Sequence, residues 1–347
     1  MPSTKRNPIR TAVAGLGRAG WDIHIDDIRG RKDFILTDVI DVEQTRLEEA
    51  RAEFGCRIHT SLKSFFKDND AELFVVATQS QDHARHAIEG LKAGLHVLCE
   101  KPMATSLRQA DRVLAQAKNA PGIFTVHQNH RFDPFFARVQ DVVHSGLLGE
   151  VFFIRTGEYS YARRNDWQTL RKYGGGLLNN NGVHLLDQIC LLLDTPVKEA
   201  WGDLKQIVNP GDADDHIKVL VRAESGMVGE VELTYACALD LPLWVVMGSR
   251  GTLISDRRAC RLRYTKAPKL PKMKADDSHM VATRAYGSGE KIAFEEKSLP
   301  AKLEPRRNFY DHLYGSIRKG KPLFVTPESV RQVMWVMQQG RKGSPFV

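Results

Sequence analysis

Residues 15–20 read Gly-Leu-Gly-Arg-Ala-Gly and place Gly15, Gly17 and Gly20 in a G-x-G-x-x-G pattern. By itself this spacing is a weak signal. Here it follows the apolar run Ile9–Ala14 and opens a helical stretch, the context in which the pattern cradles a pyrophosphate. Gly15 allows the tight turn, Gly17 lets the backbone approach phosphate, and Gly20 lets helix and strand pack closely. The free N–H groups and positive dipole end of the helix then face an anion. Asp41 ends the second apolar run, 26 residues after Gly15, where a carboxylate can accept hydrogen bonds from the adenosine ribose. Its charge would repel a 2′-phosphate, so NAD is favoured, while nearby Arg46 leaves NADP open. The structural alternative is a glycine-rich turn that holds no ligand.

The elements around this turn alternate. Strand candidates are Ile9–Ala14, Phe34–Asp41, Leu73–Thr78, His96–Glu100 and Ile123–His127. Between them, Gln44–Phe54, Asp82–Ala93 and Ser106–Ala117 read as helices, with Gly55 as a C′ residue and Thr105 as a candidate N-cap. Repeated strand–helix–strand units predict an α/β, doubly wound parallel sheet over residues 1–128. Beyond Asn129 the pattern changes. A helix at Phe135–Val143, a long strand at Val151–Tyr159, a turn at Gly174–Gly176 and a helical run at Asn180–Leu193 come first. Successive strands follow (Ile217–Arg222, Gly229–Thr234, Trp244–Gly248), and two closing helices lie near Arg307–Ile317 and Pro327–Gly340. This predicts an α+β domain over 129–347 with a mostly antiparallel sheet, the last helix packing back on the first domain. Thr326 is the expected cap of that helix.

Composition narrows the function classes. The 347 residues suggest two domains, and 42% apolar residues supply two cores. The formal charge of +8 concentrates in Arg257–Lys274, read as a solvated loop broken by Pro268 and Pro271; without a recognition motif, no nucleic-acid partner is expected. Five cysteines without a CxxC pair argue against disulfides and a zinc site, so no metal is expected. No signal-like or membrane-length apolar run occurs, which points to a cytoplasmic protein.

Further residues carry a resemblance. Glu100-Lys101-Pro102, Asn129-His130-Arg131-Phe132-Asp133-Pro134, Gly174-Gly175-Gly176 with Gly182-Val183-His184-Leu185-Leu186-Asp187, and the closing Val325-Thr326-Pro327 together resemble the glucose–fructose oxidoreductase, inositol dehydrogenase and rhizopine catabolism (Gfo/Idh/MocA) family along nearly the whole chain. The resemblance implies a Rossmann domain and a C-terminal domain with a large open sheet. One side of that sheet would bear the substrate site and the other contacts in a homo-oligomer, a dimer or tetramer. It also implies hydride transfer at a secondary alcohol of a sugar or cyclitol. Arg18, Ala19, Thr78, Glu100, Lys101 and Asn129 join Gly15, Gly17, Gly20 and Asp41 as expected cofactor contacts.

Such a reaction needs a base for the hydroxyl proton and a donor for the developing alkoxide. Lys101, at the carboxyl end of a strand, is one candidate; the alternative is a surface lysine. A cis bond to Pro102 is compatible with its position. His184 is the other; the alternative is a core histidine. Asn180 lies four residues earlier, on the same helical face, where the family pattern usually has aspartate. It can orient His184 or bind a hydroxyl but cannot carry charge, so the base is His184, Lys101, or both. Asn129 and Arg131 read as ligand contacts or interdomain bonds, and Trp167 as a sugar-stacking ring or packing. Among Asn179, Asn180 and Asn181 one is a candidate cap. Two other readings keep the fold: redox-assisted glycoside cleavage on tightly held NAD, and a non-catalytic dinucleotide sensor.

Overall fold

A computed structural model describes residues 7–256, 258–267, 270–275, 277, 290–300 and 309–346. Its first sheet contains β1 (Ile9–Ala14), β2 (Phe34–Ile40), β3 (Arg57–His59), β4 (Leu73–Val76), β5 (His96–Cys99) and β6 (Phe124–Val126), in the order β3-β2-β1-β4-β5-β6. Every neighbouring pair is parallel. Crossover helices cover both faces, so the strands are apolar almost throughout, and all four residues of β4 are buried. The helices are α1 (18–28), α2 (Gln44–Phe54), α3 (Leu62–Lys67), α4 (His83–Lys92) and α5 (Leu107–Lys118). Strand order reverses between β1 and β4, which opens a crevice beyond their carboxyl ends.

After α6 (Pro134–His144), the second sheet has eight strands: β7 (Val151–Tyr159), β8 (Val197–Lys205), β9 (His216–Ala223), β10 (Val228–Thr234), β11 (Trp244–Gly248), β12 (Gly251–Ser255), β13 (Cys260–Tyr264) and β14 (Glu295–Leu299). Their order is β14-β13-β12-β11-β7-β10-β9-β8. Only β7 and β10 pair in parallel; every other neighbour is antiparallel. The helix α7 (Val183–Leu192) packs on one face, so closely that a Cβ on Gly229 would lie 2.4 Å from Ile189. Two helices close the chain, α8 (Phe309–Lys319) and α9 (Pro327–Arg341). Gly340 of α9 abuts Gly202 of β8, while Arg331 pairs with Asp111 of α5 at 2.6 Å. Arg318 of α8 pairs with Glu72.

Several expectations change. The first strand runs Ile9–Ala14 as expected, while β2, β4, β5 and β6 end one or two residues before their expected ends. The short β3 and α3 were not anticipated: three residues at a sheet edge are too few to show periodicity. Ser106, not Thr105, caps α5, accepting from the Gln109 N–H at 3.3 Å, while the Thr105 hydroxyl donates to the Gln109 side chain. Thr326 caps α9 as expected. The basic stretch is not simply a loop. Cys260, Leu262 and Tyr264 face inward on β13 and Arg261 and Arg263 face solvent, the period-2 alternation of a strand. Arg257, Pro268, Lys269 and Arg307 lie outside the described residues. All five cysteines are free. Among the described residues no helix is long and apolar enough to cross a membrane.

Candidate active site

The crevice begins at the glycine-rich turn. Gly15 has φ +89°, and a Cβ there would meet the Ala77 carbonyl oxygen at 2.6 Å; one on Gly20 would meet the Gly15 oxygen at 1.8 Å. A Cβ on Gly17 would meet nothing within 4 Å, so this peptide faces open space. The three glycines therefore divide the work as their spacing predicts: two are needed by the protein's own packing and one leaves room for a ligand. The helix that follows is π-wound over Gly20–Ile25.

Asp41 closes one side of the turn. Its carboxylate accepts from the Leu16 N–H at 2.6 Å and the Glu43 N–H at 2.9 Å, and Arg46 lies 3.8 Å away. Thr78, beyond β4, contacts His86 through its hydroxyl and His83 through its carbonyl. Among the described residues Gln128 Nε2 is buried without a hydrogen-bond partner. These features fit a dinucleotide.

Beyond β5, the Lys101–Pro102 peptide bond is cis. Lys101 Nζ donates to the Asn180 carbonyl at 2.9 Å and so spans from the first sheet to the segment that opens α7. Burial pushes its pKa down; Glu100 opposes this, and the charges of Arg18 and Arg164 add to the lowering. Such a lysine gives up a proton more readily than an exposed one. His83 bridges the Pro102 and Thr78 carbonyls at 2.7 and 2.9 Å, tying the ends of β4 and β5 together under Lys101.

His184 sits in the first turn of α7 and is buried. Its Nδ1 lies 3.0 Å from Gln128 Oε1. An amide oxygen only accepts, so Nδ1 carries the proton and Nε2 keeps its lone pair. Burial, then the charges of His130 and Lys101, hold its pKa well below the ordinary value. The ring stacks on that of His130, with centroids 3.9 Å apart and planes 10° from parallel.

Four assignments are corrected. Asn180 does not orient His184: its Oδ1 accepts from Gln168 Nε2 at 3.2 Å and Gln128 takes the histidine instead. The reason is local, since Leu178–Gly182 is π-wound and the four-residue helical spacing does not hold there. Asn179 donates to the Gly174 and Gly175 carbonyls and Asn181 to Glu158, and none of the three asparagines caps the helix. Arg131 is not free for substrate: it forms a buried bidentate pair with Asp187 at 2.6 and 2.7 Å and also donates to the Phe324 carbonyl and Ser329. Glu100 is turned away from the crevice. One oxygen accepts from His24 at 3.0 Å and His127 at 2.7 Å, the other from the Lys101 N–H. His24 is bonded in turn to the buried Tyr310 hydroxyl at 2.9 Å. Asn129 begins the turn after β6 and Trp167 begins the turn Trp167–Thr169, both half-buried; Gln168 joins the latter turn to Asn180. Arg18 is exposed and Ala19 half-buried at the mouth.

This buried network predicts acid sensitivity. Burial pushes the His24 and His184 pKa values down, so unfolded chains bind protons there first, and stability falls as pH drops below about 6.5. Burial pushes the Glu100 carboxyl up, but His127, His24 and their hydrogen bonds outweigh it and hold the group well below the usual range. Its contribution is present above about pH 4.3 and is lost as pH falls toward the folded value. Urea midpoints measured against pH should show both segments; Glu100→Gln should remove the lower one and deepen the upper one, because Glu100 holds the His24 and His184 pKa values up against burial.

An open parallel sheet with a glycine-rich turn at its crevice, a buried lysine beyond β5 and a buried histidine at the start of α7 are features of the nicotinamide-dependent oxidoreductase class. Residues 9–128 match the model of an oxidoreductase family with an NAD-binding Rossmann fold, and residues 136–254 match the C-terminal domain model of the same family. The chain belongs to the Gfo/Idh/MocA oxidoreductase family. It is 28% identical over 337 residues to the uncharacterized oxidoreductase YhhX of Escherichia coli K12, covering 96% of both chains. It is 27% identical over 256 residues to myo-inositol 2-dehydrogenase of Thermotoga maritima, covering 72% of this chain and 75% of that one. It superposes on an NAD-binding protein from Listeria innocua with a TM-score of 0.80 and 26% identity, over 96% and 93% of the two chains.

Proposed function

We propose that this oxidoreductase uses NAD to interconvert a secondary alcohol and ketone on a sugar, glycoside or cyclitol. The observation that carries the reading is the placement of His184, buried in the first turn of α7 with Nδ1 3.0 Å from the Gln128 side chain, so that Nε2 is the ring nitrogen left for a substrate hydroxyl. Gly15, Gly17, Gly20 and Asp41 would hold the dinucleotide, which supplies a hydride acceptor when bound. His184 Nε2 takes the hydroxyl proton. Lys101, held by Asn180, donates to the substrate oxygen as charge develops on it. The glucosides and inositols named for relatives such as D-glucoside 3-dehydrogenase of Escherichia coli, 24% identical over 55% of each chain, make polyols the first class to try. We assign residues 1–128 to cofactor and 129–347 to substrate and self-association. The exposed Trp201 and Met247 sit on the sheet face opposite α7, a surface suited to a homo-oligomer.

The test is absorbance of reduced nicotinamide with NAD and a panel of free sugars, inositols, glycosides and nucleotide sugars. Formation of NADH with one class supports the reading. Sugar release at constant cofactor oxidation state would replace it with redox-assisted cleavage, and binding without turnover on any of them would replace it with a dinucleotide sensor.

A further inference from the structure

The segment that follows β6 grips α7 at several points. The Gln128 side chain reaches His184 Nδ1 at 3.0 Å, the His130 carbonyl accepts from Gln188 Nε2 at 2.8 Å, and Arg131 pairs with Asp187 at 2.6 Å. His184, Asp187 and Gln188 are spaced three and four residues apart, so they share one face of the helix. That face is therefore held by Gln128 and the single turn Asn129–Phe132 beside it. Inside this grip the half-buried His130 lays its ring flat on that of the buried His184, with centroids 3.9 Å apart and planes 10° from parallel. The torsion that sets a histidine ring plane has a broad well, and one hydrogen bond at a ring nitrogen restrains it softly. A flat contact across the ring face restrains it directly.

We propose that His130 is a positioning residue for His184: its ring is the plate that sets the plane of the His184 imidazole and hence the direction of Nε2. The role in turnover rests on the oxidoreductase reading. Gln128 holds the ring at its edge and His130 holds it at its face. The backbone of His130 is anchored in turn to Gln188, one turn further along α7, so the plate is tied to the helix that carries the ring it covers. A proton arriving at His184 puts positive charge against an aromatic face, which attracts it. Neither effect uses the nitrogens of His130. Both need a flat aromatic ring at this position.

His130→Phe keeps the flat ring and His130→Ala removes it. Carbon-13 relaxation of ring-labelled histidine in the full-length protein should show a rigid His184 ring in the unaltered protein and in His130→Phe. In His130→Ala its order parameter should fall below about 0.6. On a polyol that is turned over, His130→Ala should lower kcat by about 10-fold with KM changed less than about 3-fold, and His130→Phe should keep kcat within about 3-fold of the unaltered protein. A His184 ring as rigid in His130→Ala as in the unaltered protein would overturn the proposal. So would a loss of kcat in His130→Phe equal to that in His130→Ala. His130→Leu fills the space without a flat face and takes the place of His130→Ala in both measurements if the alanine variant does not fold. The relaxation measurement needs neither substrate nor cofactor, so its outcome is independent of whether the oxidoreductase reading holds.

Discussion

Lys101→Met should lower turnover of the accepted polyol by about 10³-fold while changing NADH affinity by only a few-fold. That loss corresponds to about 4 kcal/mol of transition-state stabilisation. The argument is positional. Nζ is fixed by one bond to the Asn180 carbonyl, which leaves two of its three N–H donors for a reacting oxygen. Burial already disfavours its charged form, so a substrate oxygen that becomes negative regains much of what desolvation cost. Methionine fills the same volume without a donor. Lys101→Arg should fail as well, because a guanidinium keeps its proton and cannot occupy the same point. Single-turnover measurement of nicotinamide reduction separates this loss from product release. A decrease of less than about 10-fold would remove Lys101 from the reacting group.

Asp187→Ala should destabilise the protein by about 3–5 kcal/mol, the cost of leaving a buried guanidinium without its partner. Arg131 is nearly inaccessible, and its fork is spent on Asp187 of α7, the Phe324 carbonyl and Ser329 of α9. The pair therefore ties the turn after β6 to the helix that carries His184 and to the last helix. Replacing both partners with apolar residues of similar size, Arg131→Met with Asp187→Leu, should recover most of the loss. Urea unfolding of the two variants beside the unaltered protein checks this. Had Arg131 contacted substrate, its replacement would raise KM with little change in stability, and that pattern would contradict the structural role.

The contrast between these residues shows what the sequence could and could not convey. The glycines at 15, 17 and 20 were legible because each answers a separate steric demand at a fixed spacing, and the strand before them is buried along almost its whole length. The sheet followed from alternation of short apolar runs with helical ones. Lys101 and His184 were legible as chemistry-bearing types at the ends of elements. Their partners were not. Gln128 is 56 residues from His184 and Asn180 is 79 from Lys101, and no periodicity links such pairs. The Asn180–His184 relation was misread because π-winding of Leu178–Gly182 breaks the four-residue repeat on which it was built. Arg131 and Glu100 look like site residues in the linear order, yet each meets an opposite charge or a histidine pair buried behind the crevice.

The central claim is that the glycine-rich turn holds a nicotinamide dinucleotide. Its most direct test is fluorescence titration of the purified protein with NADH and NADPH, alongside Gly17→Val, which places a branched side chain where the backbone now faces open space. Saturable NADH binding, weaker NADPH binding because of the Asp41 carboxylate, and loss of both in Gly17→Val are the predicted results. Absence of binding by either nucleotide, or binding that Gly17→Val leaves intact, would contradict the account.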